Sequence, residues 1–245
     1  MDRNITFLTF NTQNEILSDA KVRKALALMI DKNNIVAGIG NGYTISNFPF
    51  DQGNWLYNEK LNTQYNSEEA NRLLIEAGWN YINNTWTKDG KILGFEITVD
   101  SSKPERVIVA NTMANQYMNH GISVNVKQVS SSNYIQALNN KNYQTLITGI
   151  KLGYTPKLSV FFGENNIANY NNDRVMELLR IIKSTQDYSS QIENYNLIYD
   201  EYLNDFPYLF LYRETDLVVY NQTLCGKINP NSFSIFYNIE KWYRQ

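Results

Sequence analysis

The stretch FEITVDSSKPERVIVANTMANQYMNHGISVNVKQVSSSNYIQALNNKNYQTLITGI, residues 95–150, decides the fold. Apolar residues alternate over 95–99 and over 122–126, and a third, mostly apolar run covers 143–150. Alternation and short apolar runs are both typical of β-strands. The stretch therefore predicts three strands of one sheet.

Two helices are predicted between these strands. The first begins at Pro104, because the first turn of a helix tolerates proline, and it ends before Gly121. The second covers residues 131–139. The resulting β-α-β-α-β order predicts an α/β fold in which parallel strands are joined by helical crossovers.

An amphipathic helix is predicted over residues 19–36. Its apolar residues recur at the spacing that buries one face of a helix; they are Val22, Ala25, Leu26, Met29 and Ile30. Asp31, Lys32 and the asparagines after them are predicted to take the chain back into water.

Shorter patterns predict the remaining elements. These are a strand over 5–10, an irregular segment over 43–66, a helix that begins at Ser67 and stops at Gly78, a hairpin around Trp86, helices over 173–184 and 188–204, and strands over 208–212 and 217–220. The tail from about Cys225 onward carries few packing signals.

Composition narrows the function. The 245 residues are 43% hydrophobic and 19% charged, with a net charge of -2, which is the balance of an ordinary globular protein. No basic field is present to attract nucleic acid, so no nucleic-acid partner is predicted. No apolar run approaches the ~20 residues that span a bilayer.

The residues that support catalysis or metal binding are scarce. Cys225 is the single cysteine and His120 the single histidine, which is predicted to lie at a helix C-terminus. Metal sites in proteins depend heavily on these two residue types, so neither a metal nor another cofactor is predicted. The sequence lacks the common nucleophile, phosphate-loop and zinc-protease motifs. No enzyme class is therefore indicated, and an enzyme with an unrecognised motif remains only a weak alternative.

The exit of the third strand is the candidate binding site. After the apolar run, residues 148–156 read Thr-Gly-Ile-Lys-Leu-Gly-Tyr-Thr-Pro. In open α/β sheets ligands bind outside the carboxyl ends of the strands, and glycine lets a ligand approach the backbone. An ordinary strand-to-loop exit explains the same residues equally well, so both interpretations stay open from the pattern alone.

Six motifs, in order along nearly the whole chain, resemble one protein family. They are DAKVRKALALMIDKNNIV (19–36), YNSEEANRLLIEAGW (65–79), GISV (121–124), YNNDRV (170–175), FPYLFLY (206–212) and YNIEKW (237–242). Together they are similar to the extracellular solute-binding proteins of the oligopeptide, dipeptide and nickel ABC-importer class.

The resemblance implies a domain plan. It implies a periplasmic-binding-protein-like second lobe, with a mixed sheet whose β-α-β-α-β core is flanked by helices. Residues 1–12 would be a crossing strand from a missing first lobe, residues 13–212 the second, C-terminal ligand-binding lobe, and residues 213–245 a return segment normally packed on the first lobe. The strands over 5–10 and from 217 onward are then expected to lose their partners and to leave unpaired edges.

The resemblance also implies site residues. The segment from Gly149 to Tyr154 resembles the family's G-W-x-x-D/G-Y segment, which lines the cleft between the lobes and meets the peptide backbone. Ile150 replaces the usual tryptophan, and Gly153 stands where peptide binders often carry an aspartate. The implied ligand-binding residues are Tyr134, Gly149, Ile150, Lys151, Gly153 and Tyr154.

The implied function is solute capture for an ABC importer, most naturally of oligopeptides. The implied partners are a peptide or another small solute, the permease subunits of the transporter and the first lobe. The implied location is extracellular or periplasmic, with a lipoprotein anchor as one form of attachment. A binder of a non-peptide solute and a ligand-sensing domain of a regulator built on the same fold remain as alternatives.

Overall fold

The computed structural model describes residues 4–50, 52–153, 157–215, 218–231 and 234–245. Its strands are β1 (Asn4–Phe10), β2 (Tyr43–Ile45), β3 (Asn80–Ile82), β4 (Thr85–Lys88), β5 (Lys91–Ile92), β6 (Gly94–Asp100), β7 (Ser123–Val129), β8 (Thr145–Lys151), β9 (Tyr208–Glu214), β10 (Leu224–Gly226) and β11 (Trp242–Arg244). Its α-helices are α1 (Ala20–Leu28), α2 (Lys32–Ile39), α3 (Ser67–Glu76), α4 (Pro104–Asn119), α5 (Ser131–Asn140), α6 (Ser159–Phe162), α7 (Asp173–Ser184) and α8 (Tyr188–Asp205). Two short 3-10 turns cover Glu59–Leu61 and Ile239–Lys241.

A six-stranded mixed sheet organises the fold. Its strand order is β2-β9-β1-β8-β6-β7. The strands β7 and β8 run parallel to β6, while β1 runs antiparallel to both β8 and β9, and β2 runs antiparallel to β9. This arrangement confirms the α/β class and the predicted β-α-β-α-β core, which is the segment from β6 to β8.

Helices cover both faces of the sheet. Alternate residues of β1 enter opposite apolar clusters: Leu8 and Phe10 pack on the side of α1 and α4, and Ile5 and Phe7 on the side of α6, α7 and α8. A strand buried on both faces is apolar almost throughout rather than alternating. This explains the run Ile-Thr-Phe-Leu-Thr-Phe, in which every residue is at most 2% exposed.

The expectation that strand 5–10 has lost its partners is wrong. Asn4–Phe10 is paired along one edge with β8 and along the other with β9. Its sequence predicted a strand but not these neighbours, because β9 lies about 200 residues further along the chain. Residues 218–220, within the predicted strand 217–220, are not in a strand, and residue 217 lies outside the described ranges.

The predicted helix 19–36 is two helices. The helix α1 ends at Leu28, and Asp31 then caps α2 by accepting a hydrogen bond from the Asn33 N–H (2.9 Å). The side-chain oxygen of Gln116 on α4 accepts a hydrogen bond from the Asp31 N–H (2.7 Å). That N–H is therefore bonded to α4 and not to a carbonyl of the preceding helical turn. Lys32 does not return the chain to water, because it is only 7% exposed.

Three short strand pairings carried little sequence signal. The strand β2 lies in the segment predicted as irregular, and β10 pairs with β11 in the tail. The hairpin around Trp86 is confirmed, and β5 extends it to a three-stranded sheet.

The predicted helices over 104–119 and 131–139 are confirmed to within one residue.

Candidate ligand-binding site

Strand ends from the whole sheet converge on one edge, which we call the carboxyl rim. The parallel strands β6, β7 and β8 end there at Asp100, Val129 and Lys151. Because β1 is antiparallel to β8, its first residue, Asn4, lies opposite Lys151. The last residue of β9, Glu214, reaches the same edge, where its Oε2 accepts a hydrogen bond from Asn4 Nδ2 (2.9 Å).

The strand β8 extends beyond its neighbour β6. The pairing with β6 involves only Thr145 and Leu146, whereas the pairing with β1 continues to Lys151. Within the described structure, residues 147–151 therefore have a strand partner on one side only. On the open side, the Ile147 carbonyl accepts a hydrogen bond from the Tyr134 hydroxyl (2.9 Å). Ile147 and Thr148 are buried, so the strand backbone that the rim presents with one unpaired edge is that of residues 149–151.

Asp100 fixes the ends of β6, α4 and α5 relative to one another. Its Oδ1 accepts hydrogen bonds from the Ser102 N–H and the Ser131 hydroxyl, both at 2.9 Å. Burial raises the pKa of this carboxyl, but the bonds from Ser102 and Ser131 and the charge of Lys103 outweigh burial and hold the pKa below its ordinary value. Asp100 is therefore an ionised anchor beneath the rim.

Arg106 lies across the exit of β8. A Cβ added at Gly149 would lie 2.5 Å from Nη2 of Arg106 and 3.2 Å from Oγ1 of Thr6. The absence of a side chain at Gly149 thus makes room for the guanidinium at the strand exit. The side chain of Arg106 is 16% exposed, and its Nε lies 3.9 Å from Oε1 of Glu105.

A buried tyrosine completes this part of the rim. The ring of Tyr212 packs edge-on against that of Tyr43, with 5.3 Å between the ring centroids. Burial raises the pKa of Tyr212 to about 12, although Thr6 and Arg106 act in the opposite direction. Sequence reasoning missed Thr6, Tyr43, Arg106 and Tyr212. Strand pairing and the α4 crossover bring Thr6 and Arg106 to Gly149 from distant segments, and place Tyr212 and Tyr43 on the next strands of the sheet.

The predicted site residues differ in accessibility. Gly149 and Ile150 are half-buried, and Ile150 packs against the apolar cluster under α6 to α8. Lys151 and Gly153 are exposed, and Leu152 between them is buried. Tyr134 is buried and its hydroxyl is engaged by Ile147, which places it under the rim as a support. Tyr154 lies outside the described residues.

The single histidine belongs to another part of the fold. His120 caps the C-terminus of α4, as predicted, and its Nε2 lies 3.2 Å from the Tyr65 hydroxyl. Burial lowers the pKa of the imidazole. Within the described ranges, no group of three or more His, Cys, Asp or Glu side chains could hold a metal ion. No helix among these residues combines the length and apolarity that a bilayer crossing requires.

A cavity of about 640 Å³ lies beside β2. It reaches the rim through residues 213–215 at the end of β9, and its lining includes no residue of the β8 exit. The two features are therefore separate candidate sites.

The mixed sheet, with helices on both faces and an open strand exit, is the architecture of a periplasmic-binding-protein-like lobe. The chain belongs to the bacterial extracellular solute-binding proteins, family 5, whose middle region matches residues 2–169. It is 28% identical over 253 residues to the oligopeptide-binding protein AppA of Bacillus subtilis (strain 168), an alignment that covers 97% of this chain and 46% of that protein.

Solved structures agree with this assignment. The structure of AppA from Bacillus subtilis in complex with a nonapeptide is similar at a TM-score of 0.79 and 25% identity, covering 100% of this chain and 51% of that one. The structure of NikZ from Campylobacter jejuni in complex with Ni(L-His) shares the fold at a TM-score of 0.80 and 24% identity. The superposition covers 99% of this chain and 52% of that one. The chain spans about half the length of the relatives it matches.

Proposed function

We propose that this chain is the second lobe of a solute-binding protein that delivers oligopeptides to an ABC importer, and that it is not an enzyme. The edge of residues 149–151, which has a strand partner on one side only and is half-buried to exposed, carries the proposal. An extended peptide pairs with an exposed strand edge through its main chain, which gives affinity with little dependence on peptide sequence. Family membership and the similarity to a peptide-binding relative support the same function.

Each rim residue has a proposed role. Backbone groups of Gly149, Ile150 and Lys151 pair with the peptide, and Gly153 and Tyr154 extend the contact along the exit of β8. Tyr134 supports this backbone from below through the Ile147 carbonyl. Arg106 supplies a positive charge at the strand exit, where it can meet a peptide carbonyl or carboxylate.

The remainder of the cleft is proposed to come from a first lobe outside this sequence, with residues 1–12 and 213–245 as the connecting segments. Large apolar side chains in the tail support this division, because they are exposed here and a packed lobe would cover them. Examples are Val219 at 93%, Phe236 at 57% and Tyr243 at 61% exposure. Closure of the two lobes on the peptide would be a hinge motion. Permease subunits and an extracellular or periplasmic location, with or without a lipid anchor, belong to the same proposal.

Calorimetry with a mixed peptide pool tests the function. We expect the protein that contains both lobes to bind peptide, and Arg106→Ala to weaken binding at least tenfold, because a charge-assisted hydrogen bond contributes about 1.5–3 kcal/mol. Arg180→Ala is the matched control, since Arg180 is exposed on α7 and pairs only with Glu177. We expect the 245-residue chain alone to bind at least a hundredfold more weakly. Tight stoichiometric binding by this chain alone, or equal losses in the two arginine variants, would contradict the proposal.

A further inference from the structure

Lys32 is a buried amine in the wall of the 640 Å³ cavity beside β2. Its Nζ donates to Oδ1 of Asn47 (2.6 Å) and to Oγ1 of Thr63 (3.4 Å), both neutral acceptors. Among the residues that the structure describes, Lys32 has no ion pair. An ammonium group that is removed from water without a counter-charge is costly, so this position favours an anion that enters the cavity.

Three hydrogen bonds in the wall of the cavity form a chain in which each group donates to the next, from Lys32 to Tyr57. The Asn47 amide accepts from Lys32 and donates its Nδ2 to Oδ1 of Asn62 (3.2 Å). The Asn62 amide then donates its Nδ2 to the Tyr57 hydroxyl oxygen (2.8 Å). Among the described residues, each asparagine in this chain of bonds keeps one free N–H, and the Tyr57 hydroxyl, which accepts from Asn62, keeps its own O–H, so the wall offers donors to an anion.

Among the described residues, the other charged and titratable groups that line the cavity form no ion pair with Lys32. They are Asp31, Arg213, Glu214, Tyr57 and Tyr65. The Asp31 carboxylate caps α2, and the Glu214 carboxylate accepts from Asn4. Arg213 donates to the carbonyls of Phe48 and Pro49 and adds to the positive character of the wall. Burial alone lowers the pKa of Lys32 to about 7.

The wall also has an apolar part. Ile45, Phe48, Phe50 and Leu61 line the cavity together with the polar residues. A volume of about 640 Å³ falls in the range of small-molecule sites, which join apolar walls to a few convergent polar groups. We infer that this cavity is a second binding site, separate from the carboxyl rim, for a small amphipathic carboxylate. The carboxylate group of this ligand would contact Lys32, and its aliphatic chain would lie against Phe48 and Phe50.

Binding of hexanoate and of its uncharged analogue hexanamide to the 245-residue chain tests the inference. Protein labelled with 13C-lysine gives an Nζ-adjacent methylene signal for Lys32, which is identified by its loss in Lys32→Met. We expect hexanoate at pH 6.5 to shift this signal saturably and to raise the midpoint of its pH titration. We expect hexanamide to leave both unchanged. Above pH 7 the affinity for hexanoate should fall about tenfold per pH unit, because only the protonated amine attracts the carboxylate.

Two variants and a control separate this site from unspecific binding. Lys32→Met should lower hexanoate affinity at least tenfold in calorimetry. Asn62→Asp keeps Lys32 but adds a carboxylate to the donor chain, and it should cause a similar loss. Lys91→Met, which removes an exposed lysine in the hairpin, should leave the affinity within twofold. Equal binding of hexanoate and hexanamide, or full retention of hexanoate binding in Lys32→Met, would overturn the inference.

Discussion

Replacing Arg23 with methionine lowers the free energy of unfolding by about 3 kcal/mol, because the substitution leaves a set of buried carbonyls without donors. Arg23 is 4% exposed. Its Nη1 donates to the carbonyls of Leu17 (2.8 Å) and Ser18 (2.9 Å), and its Nε donates to the carbonyl of Asp205 (2.7 Å). One guanidinium thus joins the segment before α1 to the C-terminal end of α8.

The position requires a guanidinium and not merely a positive charge. Burial lowers the pKa of Arg23, and the carboxylates of Asp205 and Asp19 act against that shift. Arginine stays protonated in proteins and presents a fixed fork of donors, whereas lysine is a single point charge. We therefore expect Arg23→Lys to recover only part of the stability.

Urea unfolding measures this effect. Lys24→Met on the same helix is the matched control, because it removes a positive charge from a less buried position and should change stability by at most about 0.5 kcal/mol. If Arg23→Met were as stable as Lys24→Met, the proposed role of the Arg23 hydrogen bonds in holding α1 to α8 would be wrong.

The second large effect is a dependence of stability on pH that comes from Lys32. Burial lowers the pKa of its amine to about 7 in the folded chain, against about 10.4 in an unfolded chain. Between these values the unfolded state binds one proton more than the folded state. The stability of the wild-type chain relative to Lys32→Met therefore rises with pH from about 7 to about 10, by about 1.4 kcal/mol per pH unit.

Below pH 7 the amine is protonated in both the folded and the unfolded chain, so Lys32 lowers the free energy of unfolding by its full amount. We expect Lys32→Met to be more stable than wild type by about 3 kcal/mol at pH 6.5, after the loss of the bonds to Asn47 and Thr63. Unfolding by urea at pH 6.5, 8 and 9.5 measures the difference, with Lys91→Met as the control for a lysine in water. A difference that stays constant across this range would show that Lys32 keeps an ordinary pKa.

The sequence predicted the centre of the fold because its signals there are local. The alternation of Phe95, Ile97 and Val99, the proline at the start of α4 and Gly121 after it each act over a few residues. Strand neighbours have no such signal. The pairing of β1 with β9 depends on apolar segments about 200 residues apart, and the three-residue strands β2, β10 and β11 are too short to show a period.

The same distinction applies to the sites. Gly149 and Lys151 are candidates from sequence alone, because a glycine at a strand exit is visible in sequence and the segment resembles a family motif. Arg106 reaches Gly149 only after the α4 crossover is folded. Lys32 follows an apolar helix face and looks like a return to water. It is buried because the loop that carries Asn47 and Thr63 covers it.

The central claim is that a peptide pairs with the open edge of β8, and amide hydrogen exchange in the two-lobed protein tests it most directly. With the mixed peptide pool at saturation, we predict that those amides within residues 149–151 that are not bonded to β1 exchange at least tenfold more slowly. Amides of the exposed hairpin over 80–92 should not change. Peptide binding that leaves 149–151 unprotected and protects another surface would contradict the claim.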